Sequence, residues 1–589
     1  MDHKGKLGDL LLENKIITQA QLFEALAQQG ELGLPIGETL IYLDHISEHQ
    51  LLTLLSEHLQ IDYINLSENN FQVIDCSLAT ILSEGICQSH RILPVFLLEV
   101  DQEKEITLAM SNPLDESACN EVEKLTGYRT TPVLTTASHI EEGIRRLFQS
   151  VETQEADTDD GISSRLEIDR ILYVNRMLAQ AIQLKASDIH IEPHATEAHV
   201  RYRIDGVLHL IETQQLEEMP PVVSRFKVMG SEHRASMNLD KKNIPHDGSF
   251  ARVIGGHSVD FRVSTFPTIY GEKVVVRILD RSSRAAINTL SHLMMAPATM
   301  HSFLHYIKQP NGIIIATGPA GSGKTTTLHA AINEINNVGL NIVTVEDPVE
   351  YHAPDFINQS NLLPQAGFTY PRALRSILRQ DPDVILIGEI RDLETAEVAI
   401  HAALTGHLVF TTMHTDTAAG AVVRLVDLGI DEFILSSTVV SSLNQRLLRK
   451  NCPDCAEKYS PNREELNALR IDQQVIDEIL ANQDRYDIRK GKGCTLCRKS
   501  GYYGRHGVYE LLAVTPPIKK MIRNKETSDV ISTKSREFQQ LNMLFEDGLR
   551  LVLSGITTFS ELQRVPRGDY PLKSISEIFA TADITLGSL

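Results

Sequence analysis

The sequence has no long uninterrupted hydrophobic stretch. No run approaches the roughly 18–20 consecutive apolar residues that a membrane-spanning helix requires. Residues 1–6 are followed by a segment that charges interrupt, and not by the apolar core of a signal peptide. We therefore expect a cytoplasmic protein that associates peripherally with the inner membrane, through partner proteins.

Basic residues are in deficit. The 589-residue chain has 56 Lys and Arg against 77 Asp and Glu, which gives a net charge of −21. A protein that binds nucleic acid over its whole surface needs a basic face to neutralise the phosphates. Because this chain is acidic overall, we expect no nucleic-acid partner. At about 100–200 residues per domain, the length predicts three to five domains.

Cysteine is also scarce, and four of the seven cysteines form two C-x-x-C pairs. The pairs are Cys452 with Cys455 and Cys494 with Cys497. In a reducing compartment such pairs indicate a metal site, and two of them close a tetrahedral Cys₄ site for structural Zn²⁺. Redox chemistry is the alternative, but neither pair follows a thioredoxin-like strand and helix. The 38 residues between the pairs predict an intervening helix that loops out.

Composition and periodicity divide the chain into seven parts. They are a helical repeat (1–61), a small α/β part of the N-terminal domain (62–149), an acidic linker (150–164), a second domain with alternating strands (165–285), a block of apolar strands and amphipathic helices (286–450), the cysteine module (451–510) and a C-terminal helical region (511–589). The fifth part has the pattern of a parallel sheet covered on both faces. The fold class is therefore α/β.

The first part contains an internal repeat with an offset of 29 residues, as from Gly8 to Gly37 and from Ile17 to Ile46. Each copy predicts a short helix, a turn capped by Thr18 or Ser47, and a second helix.

A glycine-rich loop lies between the apolar strand 312–317 and a helix predicted over 325–335. Its nucleotide-binding residues are Gly318, Pro319, Ala320, Gly321, Ser322, Gly323, Lys324, Thr325 and Thr326. Glycines let backbone N–H groups surround phosphate, and the helix N-terminus adds partial positive charge. We expect Lys324 to reach the β- and γ-phosphates of ATP and the Thr325 hydroxyl to bind Mg²⁺. A glycine turn that precedes Lys-Thr by chance would lack this strand and helix context.

A catalytic carboxylate is predicted at the end of the strand 383–389. Glu389 lies at the carboxyl end of this strand, where ligands of parallel sheets bind. In many P-loop hydrolases the second motif ends in an aspartate, and here that position is Gly388. We therefore expect Glu389 alone to supply the carboxylate on this strand, both for water and for the Mg²⁺ shell.

Two further strands are followed by ionisable side chains. The strand 341–345 is followed by Glu346 and Glu350, and the strand 408–413 by His414. Because parallel strands present their carboxyl ends at one edge, these groups are expected to form the rim of an active site.

These motifs together resemble one family, the secretion ATPases of type II secretion and type IV pilus systems. Residues 318–325 are similar to its Walker A motif, 344–351 to its aspartate box, 378–392 to its Walker B box, and 405–415, with His407 and His414, to its histidine box. The resemblance extends from about residue 165 to about residue 565.

The resemblance implies a RecA-like ATPase domain, a preceding PAS-like domain, a helical N-terminal docking domain and an inserted Cys₄ module. It also implies a homo-hexamer in which ATP sits between two domains of one subunit. Arginines of the second domain complete such a site, since a guanidinium neutralises charge on the transferring group. The candidates are Arg201, Arg203, Arg262 and Arg277. The alternative is that these strand arginines simply face solvent.

The N-terminal repeat resembles a domain found on many of these ATPases. In some members it binds cyclic di-GMP through a doubled Arg-Leu-Gly motif. Here Lys6 and Pro35 occupy the arginine positions, and Lys15 and Asp44 occupy later glycine positions. Without arginines to contact guanine, the repeat is expected to dock on an inner-membrane platform protein.

The function that follows is a motor that hydrolyses ATP to drive pseudopilus or pilus assembly. Glu389 would orient the attacking water, with Glu346 and Glu350 at the metal or water shell. Tetracysteine modules are a feature of the assembly members of that family, so the resemblance favours assembly over retraction. The stretch 418–437 is more similar to the type II secretion members, with a type IV (MSHA-like) pilus extension ATPase as the alternative. A nucleic-acid translocase and a non-catalytic nucleotide-binding scaffold are the alternatives of other classes.

Overall fold

The structure is a computed structural model of the chain. It describes residues 7–14, 16–32, 36–43, 45–59, 61, 63–64, 66, 74, 78–79, 81–100, 103–113, 115–152, 161–231, 237–254, 257–280, 289–350, 353–539, 541–568 and 570–583. These residues belong to two compact units, 1–282 and 283–589. Among the helices described, none has the length and apolar character needed to cross a bilayer.

The first unit begins with four helices. They are α1 (Leu7–Glu13), α2 (Gln19–Leu32), α3 (Ile36–Tyr42) and α4 (Glu48–Leu59). Thr18 and Gln21 cap α2 reciprocally, since the Thr18 N–H donates to Gln21 Oε1 over 2.8 Å and the Gln21 N–H donates to Thr18 Oγ1 over 3.4 Å. Ser47 and Gln50 repeat this arrangement at α4. The predicted pair of helical hairpins is therefore confirmed.

The part of the first unit that follows has a three-stranded sheet. Its elements are α5 (Glu84–His90), β1 (Ile92–Val100), β2 (Glu103–Met110), α6 (Glu116–Thr126), β3 (Arg129–Leu134) and α7 (Ala137–Glu152). The sheet order is β1-β2-β3, with β1 antiparallel and β3 parallel to β2. Two sequence predictions lie outside the described residues: residues 153–160 of the acidic linker, and the cyclic di-GMP positions Lys6, Lys15, Pro35 and Asp44.

A six-stranded antiparallel sheet completes the first unit. Its elements are α8 (Gly161–Gln183), β4 (Ala186–Pro193), β5 (Glu197–Ile204), β6 (Val207–Gln215), α9 (Met219–Gly230), β7 (His246–Ile254), β8 (His257–Thr268) and β9 (Gly271–Asp280). The strand order is β6-β5-β4-β9-β8-β7. The helices α8 and α9 pack on this sheet through a core that contains Leu178, Phe226 and Phe261.

The second unit is built on a seven-stranded sheet. Its first elements are α10 (Pro297–Ile307), β10 (Gly312–Thr317), α11 (Lys324–Ile335), β11 (Ile342–Glu346), β12 (Ile357–Asn361), α12 (Tyr370–Ile377), β13 (Val384–Ile387), α13 (Leu393–Leu404), β14 (Leu408–Met413), α14 (Ala418–Asp427), α15 (Glu432–Thr438) and β15 (Val439–Asn451). The remaining elements are β16 (Ala456–Lys458), α16 (Arg463–Asn467), α17 (Gln473–Ala481), β17 (Arg489–Gly491), β18 (Tyr502–Ala513), α18 (Pro516–Arg523), α19 (Ser528–Gln539), α20 (Leu544–Leu553), α21 (Phe559–Leu562) and α22 (Ile575–Asp583).

The sheet order is β12-β11-β13-β14-β10-β15-β18, parallel except for the antiparallel pairing of β15 with β18. It is buried on both faces, as its apolar strands predict. Along β10, Ile313 and Ile315 join one core cluster, whereas Ile314 and Ala316 join another. The strand β18 crosses the predicted boundary at residue 510, so the sheet extends beyond the block 286–450.

The cysteine module lies between β15 and β18. The short strands β16 and β17 pair antiparallel and bring its two ends together. The helices α16 and α17 do not loop out, contrary to expectation. Their residues Leu466 and Ile476 share a core with Leu549 and Phe559 of α20 and α21, because their apolar faces need burial.

Candidate functional site

The glycine-rich loop follows β10 and ends at the first residue of α11. Gly318 has φ 137° and Gly323 has φ 90°, values that side-chain-bearing residues rarely adopt. A Cβ at Gly318 would lie 2.5 Å from the Gln445 carbonyl oxygen and 2.8 Å from Ser322 Oγ. Only glycine therefore fits at this position without a steric clash. The loop therefore directs its backbone towards the N-terminus of α11, where a phosphate is favoured.

Lys324 is the first residue of α11 and is buried. Its Nζ donates to the carbonyl oxygens of Gly318 and Pro319, each over 2.9 Å. Burial lowers the pKa of Lys324 to about 8, against the opposing influence of the Glu389 carboxylate. The half-buried Thr325 and Thr326 follow in the same turn. A buried ammonium group at a glycine cradle fits the phosphates of ATP.

The strand β15 lies beside β10 and supplies two groups that the sequence analysis missed. The Gln445 side chain donates to the Ser322 carbonyl oxygen over 2.6 Å and so holds the loop. Arg446 pairs with Asp416 over 2.6 Å, and its charge contributes to the lowered pKa of Lys324. The loop therefore has a second cation beside it.

Glu389 lies just beyond the carboxyl end of β13, as predicted, and its side chain is only 13% exposed. It pairs with Arg391 through Oε1. Its Oε2 lies 3.7 Å from His414 Nε2. The charge of Glu389 also raises the pKa of Lys324 against the effect of burial. The structure therefore brings the candidate catalytic carboxylate and the loop lysine close together.

Glu346 is the last residue of β11 and is almost completely buried. Its Oε1 accepts from Thr344 over 2.8 Å and from Gln359 over 3.1 Å. Its Oε2 accepts from His329 Nε2, on α11, over 3.0 Å. Both oxygens are therefore engaged within the protein, and the sequence analysis had not identified His329 as a partner.

Glu350 and His414 lie on the same side of the site. Glu350 is half-buried, and its charge raises the pKa of Lys324 against the effect of burial. Burial lowers the pKa of His414, and the charge of Lys324 lowers it further. Glu389, Glu350 and His414 therefore all lie close enough to Lys324 for their charges to interact.

His407 is not at this rim, although it shares a sequence motif with His414. It precedes β14, and its Nδ1 is 2.8 Å from the carbonyl oxygen of Ala402. Since β14 has six residues at about 3.3 Å each, His407 lies roughly 20 Å along the strand from His414. His407 fixes the turn between α13 and β14.

The space beside Gly388, where a side chain would lie, is occupied by Tyr370 from another element. A Cβ built on Gly388 would collide with the hydroxyl oxygen of Tyr370, at the start of α12, and would lie 3.4 Å from Tyr370 Cζ. The Gly388 N–H donates to Val345 over 2.9 Å, and its carbonyl accepts from Thr412 over 2.7 Å. Gly388 therefore continues the sheet pairing while its missing side chain leaves room for a phenol.

The four candidate arginines lie on one face of the six-stranded sheet. The strand register aligns Arg203, Asp188, Arg277 and Arg262 in one row across β5, β4, β9 and β8. The Arg277 Nε donates to Asp188 over 3.0 Å, and Arg203 Nε lies 3.6 Å from the other oxygen of Asp188. Arg201 is two residues along β5.

A second acid on β4 holds the last of these arginines. Arg201 donates to Glu192 over 2.7 Å, and Lys273 lies 2.8 Å from the same carboxylate. Acidic residues of β4 therefore hold at least three of the four guanidinium groups in place.

The four predicted cysteines form one cluster, with their sulfur atoms within 4.8 Å of one another. The Sγ–Sγ separations are 3.6 Å between Cys452 and Cys494, and 3.7 Å between Cys455 and Cys497. Metal–sulfur bonds of about 2.3 Å at tetrahedral angles require about 3.8 Å between sulfurs. The cluster therefore fits a tetrahedral ion.

Backbone groups stabilise the thiolate of one cysteine in the cluster, Cys497. Burial raises its pKa, but N–H groups of Cys494 and Gly501, at 3.1 and 3.3 Å from its sulfur, together with the neighbouring thiols, outweigh burial and bring the pKa to about 6. Burial raises the pKa of Cys452 and Cys455. Since the metal ligand is the thiolate, Cys497 is the one of these three whose surroundings favour the ligand form.

The chain is similar to known secretion and pilus assembly proteins. A family profile described as "Type II/IV secretion system protein" matches residues 165–564, and an MshEN domain profile matches residues 59–154. The type IV pilus assembly ATPase PilB of Myxococcus xanthus is 33% identical over 580 residues, which are 95% of this chain and 98% of that protein. The type II secretion system protein E of Pseudomonas aeruginosa is 40% identical over 414 residues, or 70% of this chain and 79% of that protein.

Among solved structures, the pilus retraction motor PilT with bound ADP is 26% identical. The match covers 67% of this chain and 96% of that chain, with a TM-score of 0.44. The profile covers more than half of the chain, and both relatives are at least 33% identical over at least 70% of it. The chain belongs to the type II/IV secretion system protein family and is an ATPase of that family.

Proposed function

We propose that this chain is a hexameric, cytoplasmic motor that hydrolyses ATP to drive assembly of a pseudopilus in type II protein secretion. The observation that carries the proposal is the placement of a buried phosphate-loop lysine and a largely buried carboxylate at the carboxyl ends of strands in one parallel sheet. Lys324 and Glu389 come from different strand ends, and the charge of Glu389 acts on Lys324. Such an arrangement serves phosphoryl transfer to water.

Bound ATP with Mg²⁺ supplies the phosphoryl group and neutralises its developing charge. Lys324 would hold the β- and γ-phosphates, and the Thr325 hydroxyl would face the metal. Glu389 would accept the proton of the attacking water and contribute to the metal shell. Glu350 would assist through its charge. Both carboxylate oxygens of Glu346 accept hydrogen bonds within the protein. Glu346 would therefore hold β11, β12 and α11 together.

The arginine row and Arg446 are proposed to neutralise phosphate charge. Arg201, Arg203, Arg262 and Arg277 share one face of their sheet, and guanidinium groups fixed by acids lose little freedom when they contact a phosphate. Arg446 already lies near Lys324. These groups would stabilise the transferring phosphoryl group.

The cysteine cluster is proposed to hold a structural Zn²⁺ ion. Four thiolates at tetrahedral separations leave no open position for chemistry. The ion would therefore fix the two ends of the module, between β15 and β18, and take no part in hydrolysis.

The partners are proposed to be further copies of the chain and inner-membrane platform and docking proteins. The helical repeat of α1–α4 would dock there and bring the protein to the membrane periphery. The net charge of −21 is unfavourable for a nucleic-acid translocase. ATP hydrolysis that single-stranded DNA does not stimulate is the expected result of an assay with and without DNA.

Type IV pilus extension is the second candidate system. The pilus relative covers 95% of this chain, and the MshEN profile matches residues 59–154, whereas the type II relative has the higher identity. Deletion of the gene, with complementation by wild type or Glu389→Gln, separates the candidates. Loss of exoprotein secretion with intact pili supports type II secretion, and the reverse supports pilus extension. Full function of Glu389→Gln would contradict any motor.

A further inference from the structure

Three buried polar side chains form one row across neighbouring strands of the second unit. They are Thr317 on β10, Asn444 on β15 and Glu510 on β18, and the strand register places them side by side. Neighbouring strands lie about 4.8 Å apart, so the row spans about 10 Å. Residues 415–418, the crossing segment, follow β14 and reach at most about 10 Å. The crossing segment is therefore just long enough to pass over all three strands.

Each side chain of the row bonds one backbone group of the crossing segment. The bonds join Thr317 Oγ1 to the carbonyl oxygen of Thr415 over 2.9 Å, Asn444 Nδ2 to the carbonyl oxygen of Asp416 over 2.6 Å, and the Ala418 N–H to Glu510 Oε1 over 3.0 Å. The donors and acceptors alternate with the needs of the backbone, since two carbonyl groups accept and one N–H group donates. Three strands therefore fix the crossing segment against the sheet.

The chain held in this way presents two side chains to the site. His414, which directly precedes the crossing segment, has its Nε2 3.7 Å from Glu389 Oε2. Asp416 pairs with Arg446 over 2.6 Å. The side chains of His414 and Asp416 are 54% and 82% exposed, so their own surroundings restrict them little. Their positions therefore depend on the backbone that the row holds.

We propose that Thr317, Asn444 and Glu510 are positioning residues for ATP hydrolysis, which fix the crossing segment and so hold His414 beside Glu389. This proposal rests on the proposed function, in which Glu389 accepts the proton of water. Thr317 is the last residue of β10 and directly precedes the phosphate loop, so the row also joins the crossing segment to the strand that carries the loop. Small displacements of groups at a reacting centre lower the rate, because hydrolysis requires a defined geometry.

The test measures steady-state ATP hydrolysis by the full-length wild type, Thr317→Ala and Asn444→Ala. Each substitution removes the side-chain donor of one bond to the crossing segment. A hydrogen bond between neutral groups corresponds to a change of about two- to tenfold, so we expect kcat to fall about fivefold in each variant. KM for ATP should stay within about twofold, because neither side chain belongs to the phosphate loop.

A double-mutant cycle with His414→Ala separates positioning from a general loss of stability. His414→Ala should itself lower kcat at least about fivefold. If the row acts through His414, Thr317→Ala and Asn444→Ala should each lower kcat by less than about twofold in the His414→Ala background. A purely structural role would instead lower kcat by the same factor in both backgrounds.

Thr411→Ala is the matched control. Thr411 is a buried threonine on β14, the other neighbour of β10, and its hydroxyl has no hydrogen-bond partner among the residues that the structure describes. The substitution removes the same atoms as Thr317→Ala but no hydrogen bond. We therefore expect kcat of Thr411→Ala within about twofold of the wild-type value.

Three results would each overturn the proposal. They are wild-type kcat in both Thr317→Ala and Asn444→Ala, wild-type kcat in His414→Ala, and equal losses of kcat in the two backgrounds of the cycle. A wild-type protein that fails to hydrolyse ATP would instead overturn the proposed function, so the two failures are distinguishable.

Discussion

The buried pair of His329 and Glu346 ties the helix that follows the phosphate loop to the neighbouring strand. Both residues are 3% exposed, and among the described residues Glu346 Oε2 has no hydrogen-bond donor besides His329 Nε2. Substitution His329→Leu keeps most of the volume and removes that donor. A hydrogen bond to a charged group contributes about 1.5–3 kcal/mol. Because Glu346 Oε1 keeps its two donors, we expect the free energy of unfolding to fall by about 2–3 kcal/mol.

A double-mutant cycle with Glu346→Gln isolates this interaction. Urea unfolding followed by circular dichroism gives the free energy for wild type, both single variants and the double variant. In the Gln background no carboxylate is left unpaired, so His329→Leu should cost at least about 1 kcal/mol less there. His401→Leu, at an exposed position of α13, is the control and should change stability by less than about 0.5 kcal/mol. Effects of His329→Leu and Glu346→Gln that add within about 0.5 kcal/mol would refute the reasoning.

Three further predictions concern the loop lysine, the cysteines and the arginine row. Burial lowers the pKa of Lys324 to about 8, and a bound phosphate favours the charged form of this lysine. Nucleotide affinity should therefore be full below pH 8 and fall by up to about tenfold per pH unit above it. Equal dissociation constants for a fluorescent ATP analogue at pH 7.5 and about pH 9.5 would contradict this prediction. Wild-type protein should contain one zinc per chain by atomic absorption, and Cys494→Ser should lose the zinc and melt at lower temperature, whereas Cys119→Ser, outside the cluster, should keep it. Arg277→Gln should lower kcat at least about tenfold, whereas Arg145→Gln, an equally exposed arginine of α7, should not; unchanged kcat for Arg277→Gln would remove that residue from the proposed site.

The sequence predicts the site best where the functional residues follow one another in the chain. The phosphate loop, its strand and its helix follow one another, so Lys324 and Thr325 are placed by local signals alone. Glu389 also follows directly from a buried strand. The reciprocal caps at Thr18 and Ser47 are local in the same sense, which is why the helical hairpins of the first unit are predictable.

Groups that come from other strands are not predictable in this way. Gln445 and Arg446 reach the loop because β15 lies beside β10, and that order cannot be read from the chain. Tyr370 meets Gly388 across the sheet edge, and nothing in the local pattern joins them. His407 and His414 share one sequence motif, although the six residues of β14 carry them to opposite ends of the strand.

The hydrolysis rate of the Glu389→Gln protein tests the central claim most directly. Glutamine keeps the shape of the side chain but cannot accept a proton from water. The account predicts that kcat falls at least about 100-fold, while the dissociation constant of a fluorescent ATP analogue stays within about threefold of wild type. Glu394→Gln, at an exposed glutamate of α13, should leave both values unchanged. ATP hydrolysis by Glu389→Gln at the wild-type rate would contradict the account.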